Sequence, residues 1–214
     1  MKISRIVLIV LASILLILVL WFVGTTVFYS ITHPTVSPDF ANIPIEKNVV
    51  TAKQIEQYLC DVIQKNDKLD QYDLVVGSID MKIDAEHKGE ITVIFVEKDN
   101  KKPRVVFAYL DTNEGVISKL QDYGRESKLY PGIINLREWS IDSTDAVLIT
   151  KDFFKNDYGF RYDEIWIYTY NDYLADSSKG EERWLVYLTD KQNDIRYSTR
   201  IDPYSGEVIS HSVN

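Results

Sequence analysis

Few residues in this chain of 214 could cross-link it or bind a metal, because it contains one cysteine and three histidines. The single thiol, Cys60, cannot form an internal disulfide, so stability must come from packing. The histidines are His33, His87 and His211, and no two of them have the spacing of a zinc motif. The sequence therefore predicts no metal site and three unrelated surface histidines.

Motifs of catalysis and phosphate binding are also missing. The chain has no G-x-S-x-G elbow, no P-loop and no G-x-G-x-x-G turn. Cys60 would need a histidine partner to act as a nucleophile, and His87 is the only histidine in its part of the chain. Its position off the apolar stripe of a helical wheel predicts a partly exposed, structural thiol, with an intermolecular disulfide as the alternative. We expect no enzyme, no catalytic residue and no cofactor.

A basic surface is absent as well. Lys and Arg number 24 against 32 Asp and Glu, which gives a formal net charge of −8. An acidic surface repels nucleic acid and other polyanions. We therefore expect no nucleic-acid partner.

Residues 6–28 form a long hydrophobic run without a charged residue. At about 1.5 Å per residue, a helix of this length crosses about 30 Å of hydrocarbon. Lys2 and Arg5 precede the run, and the positive-inside rule places that end in the cytoplasm. The sequence predicts a cytoplasmic tail (1–5), a single transmembrane helix (6–28) and an extracellular remainder at the cell membrane. A cleaved signal peptide is the alternative, since a basic start before an apolar run fits both.

Three of the six prolines, Pro34, Pro38 and Pro44, lie within residues 29–48. Proline among small and polar residues favours an extended chain. This segment is therefore predicted to be a stalk, and folding should begin near Val49.

An internal repeat organises the rest of the chain, with an offset of 91 residues between Thr51 and Asp142. In the same register Lys88-Gly89-Glu90 aligns identically with Lys179-Gly180-Glu181. A repeat this long indicates a duplicated small domain rather than a solenoid. We predict a first unit at 49–118, a connector at 119–141 and a second unit at 142–214.

Each unit begins with a predicted amphipathic helix. Thr51 with Gln54 forms a capping box, and Asp142 with Asp145 forms a weaker version. Apolar residues at helical spacing follow the caps. The two stripes are Ile55, Leu59, Val62 and Ile63, and Ala146, Ile149, Phe153 and Phe154.

Alternating β-rich runs follow each helix and predict antiparallel strands. Asp111 with Gly115, and Asp202 with Gly206, are expected to make tight turns, because Asp bonds turn backbone and Gly adopts positive φ. The predicted fold class is α+β: an N-terminal transmembrane helix followed by two duplicated units, each with one helix packed on an antiparallel sheet.

A family resemblance is visible in the second unit. Its helix opens at Asp142–Ala146, a strand covers Trp184–Leu188, and the chain closes with Tyr197–Ser210, in which Ile-Asp-x-x-x-Gly-Glu-Val-Ile stands out. This order resembles a PepSY domain, and the first unit matches mainly through the repeat. The layout is also similar to membrane-anchored proteins of Gram-positive bacteria with TseB-like, cystatin-like domains, some linked to cell-wall elongation.

The resemblance implies a function without catalysis. PepSY-like units are usually binding or inhibitory modules beside peptidases or in cell-envelope proteins, so it implies a regulatory module acting on a peptidase or wall-synthesis enzyme. A co-sensor that acts on a membrane kinase through its transmembrane helix is one alternative, and an envelope enzyme with an unrecognised site is another. The sequence leaves the oligomeric state open.

One strand carries the candidate partner contacts. Alternation along residues 165–170 places Trp166, Tyr168 and Tyr170 on one face and the two isoleucines on the other. In the repeat register the isoleucines align with aliphatic residues, so their face should pack under the helix. The aromatic face is expected either to bind a peptide or glycan or to be the surface on which the first unit docks.

Overall fold

The computed structural model describes residues 42–45, 50–98, 103–125, 133–171 and 182–214, without the side chains of 170 and 171. It also describes five helical residues nearer the N-terminus, which are Ile14, Leu15, Leu18, Val19 and Trp21. Among all these residues, no helix combines the length and the hydropathy needed to cross a membrane. The predicted tail, most of the segment 6–28 and most of the stalk lie outside the described residues.

Both predicted helices form, as α1 (Ala52–Gln64) and α2 (Ser143–Phe154). At α1 the Thr51 hydroxyl accepts the Gln54 N–H at 3.3 Å, and the Gln54 side chain accepts the Thr51 N–H at 3.1 Å. Asp142 and Asp145 form the same reciprocal pair at α2. Both predicted capping boxes are therefore confirmed.

Among the described residues, nine antiparallel strands join in one sheet, in the order β1-β5-β4-β3-β2-β6-β7-β8-β9. The strands are β1 (Ile43–Pro44), β2 (Leu74–Ile83), β3 (Gly89–Glu97), β4 (Arg104–Asp111), β5 (Val116–Arg125), β6 (Glu164–Asn171), β7 (Glu182–Asp190), β8 (Ile195–Ile201) and β9 (Val208–Val213). The α+β class predicted from the sequence is confirmed at this level.

The half of the chain with α1 and the half with α2 meet along β2 and β6. These strands pair antiparallel, with Asp80 opposite Tyr168 and Lys82 opposite Trp166. The helix starts also touch, because the Ala52 N–H donates to the Ser143 hydroxyl at 2.9 Å. One hydrophobic core then joins both helices to the sheet.

The apolar stripe predicted for α2 is partly wrong. Phe153 is 43% exposed, whereas its neighbour Phe154 is 2% exposed and packs in the core. The buried face of α2 is centred on Thr150, with Val147 and Phe154 near it. Since each residue turns a helix by about 100°, Phe153 lies to one side of that face. Because the residue at the centre of the buried face is a threonine, a prediction from apolar residues alone could not locate that face.

Candidate functional site

The helices cover one face of the sheet, and no described helix covers the other. Ile165 and Ile167 point to the helices and are fully buried, as predicted. Alternation therefore puts Trp166 and Tyr168 on the helix-free face. Tyr187 of β7 lies opposite Trp166 in register and shares that face. We call Trp166, Tyr168 and Tyr187 the aromatic cluster.

The three rings of the aromatic cluster contact one another. The Tyr187 ring centroid lies 5.4 Å from that of Trp166 and 6.0 Å from that of Tyr168, with interplanar angles of 29° and 14°. The centroids of Trp166 and Tyr168 are 5.2 Å apart. Ring pairs at such distances contribute about 0.5–1.5 kcal/mol beyond area burial. The cluster is thus held in place while Trp166, Tyr168 and Tyr187 each stay only half-buried.

Asp80 brings the first half of the chain into the site. The Trp166 indole N–H donates to Asp80 Oδ1 at 2.6 Å, across the seam between β2 and β6. Burial raises the pKa of Asp80, while the Trp166 hydrogen bond and nearby Lys82 oppose that rise. The seam therefore presents a hydrogen-bond acceptor beside the aromatic rings.

Charged groups of both signs border the cluster. The Arg196 guanidinium lies 5.8 Å from the Tyr187 ring centroid. Glu164 binds Lys191 at 2.7 Å and approaches Lys82 at 3.7 Å. This border suits a ligand that has both donors and acceptors better than one of a single charge.

The phenol of Tyr168 is a hydrogen-bonding group rather than a base. Burial, followed by the contact of its hydroxyl with that of Tyr187 at 3.5 Å, raises the pKa of Tyr168 above its ordinary value. Tyr168 therefore keeps its proton at neutral pH. The arrangement can stack on a ligand and form hydrogen bonds to it through the Tyr168 hydroxyl and the Asp80 carboxyl.

The structure brings together two of the three predicted contact residues, Trp166 and Tyr168. Tyr170 lies in β6, but its side chain is outside the described residues. Sequence reasoning missed Tyr187 and Asp80. Tyr187 lies in a predicted strand, so a β6–β7 pairing register could have identified it. Asp80 reaches the site only because β2 pairs with β6, and no local sequence pattern predicts that pairing.

The remaining candidates have structural roles. Asp111 Oδ1 accepts the N–H groups of Asn113 and Glu114 at 2.9 and 3.2 Å, and Asp202 Oδ1 accepts those of Tyr204 and Ser205, both at 2.8 Å. The glycines that end these turns, Gly115 and Gly206, have φ values of 66° and 77°. Both predicted turns are confirmed.

The predicted histidine and cysteine positions do not converge. His87 lies in the turn between β2 and β3, His211 lies in β9, and His33 is outside the described residues. Within the described residues, no three His, Cys, Asp or Glu side chains are grouped to hold a metal. Cys60 is half-buried, as predicted, and burial with nearby Glu56 raises the pKa of its thiol.

Comparison with known proteins adds a fold neighbour. No protein-family profile and no curated protein matches the chain. The crystal structure of a candidate lipoprotein from Clostridium difficile 630 is similar, with a TM-score of 0.53 and 12% sequence identity. The match covers 81% of this chain and 99% of that chain. At this identity the likeness concerns the fold alone.

Proposed function

We propose that this chain is a non-catalytic binding or regulatory module, anchored in the membrane, that acts outside the cytoplasm on a cell-envelope protein. The observation that carries the proposal is the half-exposed aromatic cluster on the helix-free face of the sheet. Trp and Tyr are enriched at the centres of protein interfaces, because they supply large contact areas at low entropic cost. Asp80 adds an acceptor that can orient a partner on this surface.

The partners of the polar groups support binding rather than catalysis. Asp80 accepts from Trp166, Tyr168 contacts Tyr187, and Glu164 is paired with lysines. Such pairing holds side chains in one geometry and leaves Tyr168 protonated. A general acid or base needs a group that changes its protonation near working pH.

Two observations support the proposed location. Residues 6–28 are apolar and follow Lys2 and Arg5, which fits a single spanning helix with a cytoplasmic N-terminus. The fold neighbour is described as a candidate lipoprotein, a class held at a membrane by covalent lipid. The folded part would then face the outside.

We also propose that the two halves are PepSY-like units that arose by duplication. In the described part of each half, one helix is followed by four strands, and the first half also has β1 before its helix. Both helices begin with a reciprocal capping box, and both halves have an Asp-to-Gly turn before their last strand. These matched details support a common ancestor for the halves.

Site-specific photocrosslinking in intact cells tests the binding face. A photoreactive phenylalanine analogue replaces Tyr168 in the full chain, and a matched analogue replaces Tyr158, which is fully exposed in the loop after α2. We expect position 168, but not position 158, to capture an envelope protein identified by mass spectrometry. Tyr187→Ser should reduce that adduct.

Two outcomes would overturn the proposal. One is the absence of any protein adduct from position 168, and the other is the same set of adducts from positions 158 and 168. Folding of each variant is checked by its melting transition.

A further inference from the structure

The two outer edges of the sheet differ in how far their backbone groups are paired. Along β5, the Asn42 N–H donates to the Ile117 carbonyl at 2.8 Å, and the Ile45 N–H donates to the Gly115 carbonyl at 2.7 Å. Between them lies Pro44, which has no N–H to offer a further strand. β1 therefore covers the start of this edge, at Val116 and Ile117.

The corresponding edge in the second half is β9. Val208-Ile209-Ser210 matches Val116-Ile117-Ser118 in the repeat. The chain before α2 takes another course: the Ile134 N–H donates to the Val76 carbonyl at 3.0 Å, and Trp139 is buried in the core. No described residue pairs with the outer side of β9.

The backbone of β9 faces outward at defined positions. Asn214 and Arg196 exchange two hydrogen bonds of 2.9 and 3.0 Å. Pairing in an antiparallel ladder alternates, so Ser212, opposite Ser198, also bonds toward β8. The N–H and C=O groups of His211 and Val213 therefore point away from the sheet.

The side chains of β9 lack the usual protection of an edge. Exposed edges normally carry lysine, proline or inward charges. β9 consists of Val, Ile, Ser, His, Ser and Val, and Ile209 and Val213 are 44% and 51% exposed. Beside it, Phe153 contacts the His211 ring at 4.6 Å and is itself exposed. An apolar strip thus borders unpaired backbone.

We propose that β9 pairs antiparallel with β9 of a second copy of this chain and forms a two-fold symmetric dimer. Two identical antiparallel strands are self-complementary, as a closed symmetric interface requires. The chain has a net charge of −8, and β9 carries no Asp or Glu that would repel the same strand of a second copy. Two β9 strands would then pair antiparallel between copies, as β2 and β6 pair antiparallel within one copy.

A register centred on His211 uses the outward groups. It places His211 opposite His211 of the second copy and Val213 opposite Ile209 of the second copy. The exposed aliphatic side chains then cover each other, and Phe153 of each copy borders the contact.

Disulfide crosslinking of the full chain in lipid vesicles tests this register. In a Cys60→Ser background, His211→Cys should form a disulfide-linked dimer under mild oxidation, because directly opposed residues lie within disulfide range. Ile209→Cys alone should link weakly, whereas a mixture of Ile209→Cys and Val213→Cys chains should link to each other. Ser118→Cys, which directly follows the β5 residues that pair with β1, is the matched control.

Variants that block the edge provide an independent measurement. His211→Pro removes an outward N–H from each copy, and Val213→Lys adds a charge at an exposed position. Each should raise the dimer dissociation constant about tenfold or more, while the melting transition of the monomer stays close to that of the parent. A monomeric parent chain, or equal crosslinking at positions 118 and 211, would overturn the proposal.

Discussion

The halves of this protein share their caps and turns but fill equivalent core positions with different chemistry. Leu59 of α1 is fully buried, and the residue at the same repeat position in α2, Thr150, is fully buried as well. The Thr150 hydroxyl donates to the Ala146 carbonyl at 2.9 Å and lies 2.6 Å from the Thr199 hydroxyl. A buried polar group is tolerated when it is hydrogen-bonded. Two helices that begin with the same kind of cap are thus stabilised differently, α1 by a buried aliphatic side chain and α2 by a hydrogen-bonded hydroxyl pair.

The largest effect should come from truncating the aliphatic layer. Leu59→Ala removes buried methyl groups and should lower the free energy of unfolding by about 2–5 kcal/mol. Phe153→Ala, at an exposed position in the other helix, should cost under about 1 kcal/mol. Denaturant unfolding of the full chain in detergent measures both. Equal losses would show that the two helices do not present the faces described above.

The sequence predicted local features well because short-range chemistry determines them. Thr51 with Gln54, and Asp202 with Gly206, each satisfy backbone groups a few residues away, so their patterns are visible without tertiary information. The buried face of α2 could not be found in this way, since Thr150 has its partner in Thr199 on a distant strand. The seam between β2 and β6, and with it the place of Asp80 in the candidate site, depends on pairing between halves that leaves no local signal.

The hydroxyl pair of the second half should respond to single and double changes differently. Thr150→Val leaves the Thr199 hydroxyl buried without its partner, which costs about 1–3 kcal/mol. The double change of both threonines to valine removes both hydroxyls and should cost less than the single change. Unfolding of the three variants forms a double-mutant cycle. Additive losses would mean that the hydroxyls do not depend on each other.

A smaller loss of stability, which depends on pH, is expected for a substitution of Asp190, the last residue of β7. The hydrogen bond from Arg161 is the main cause that lowers the pKa of Asp190 from 3.8 to about 2. A carboxyl whose pKa is lowered by folding stabilises the fold above its unfolded value, and that contribution is lost as pH falls through the folded value. Asp190→Asn should therefore be less stable than the parent at pH 7, and the difference should shrink between about pH 4 and pH 2. A difference that stays constant over this range would refute the ion pair as its cause.

The smallest change in stability should occur at Asp80 in the seam, and it should be a gain rather than a loss. Burial raises the pKa of this carboxyl above its ordinary value, so its charged form is less favourable in the folded chain than in the unfolded chain. A raised pKa means that the favourable contribution is complete at low pH and is lost as pH rises through the folded value. Asp80→Asn removes this penalty and keeps an oxygen to accept the Trp166 N–H, so it should be slightly more stable than the parent at pH 7 and equal to it in acid. Asp80→Ala, which also removes the acceptor, is the control and should be less stable than Asp80→Asn at every pH. If Asp80→Asn were instead less stable than the parent at pH 7, the attraction between the Asp80 carboxylate and Lys82 would outweigh the cost of burying that carboxylate. The acceptor at the candidate site would then be a charged carboxylate that stabilises the folded chain.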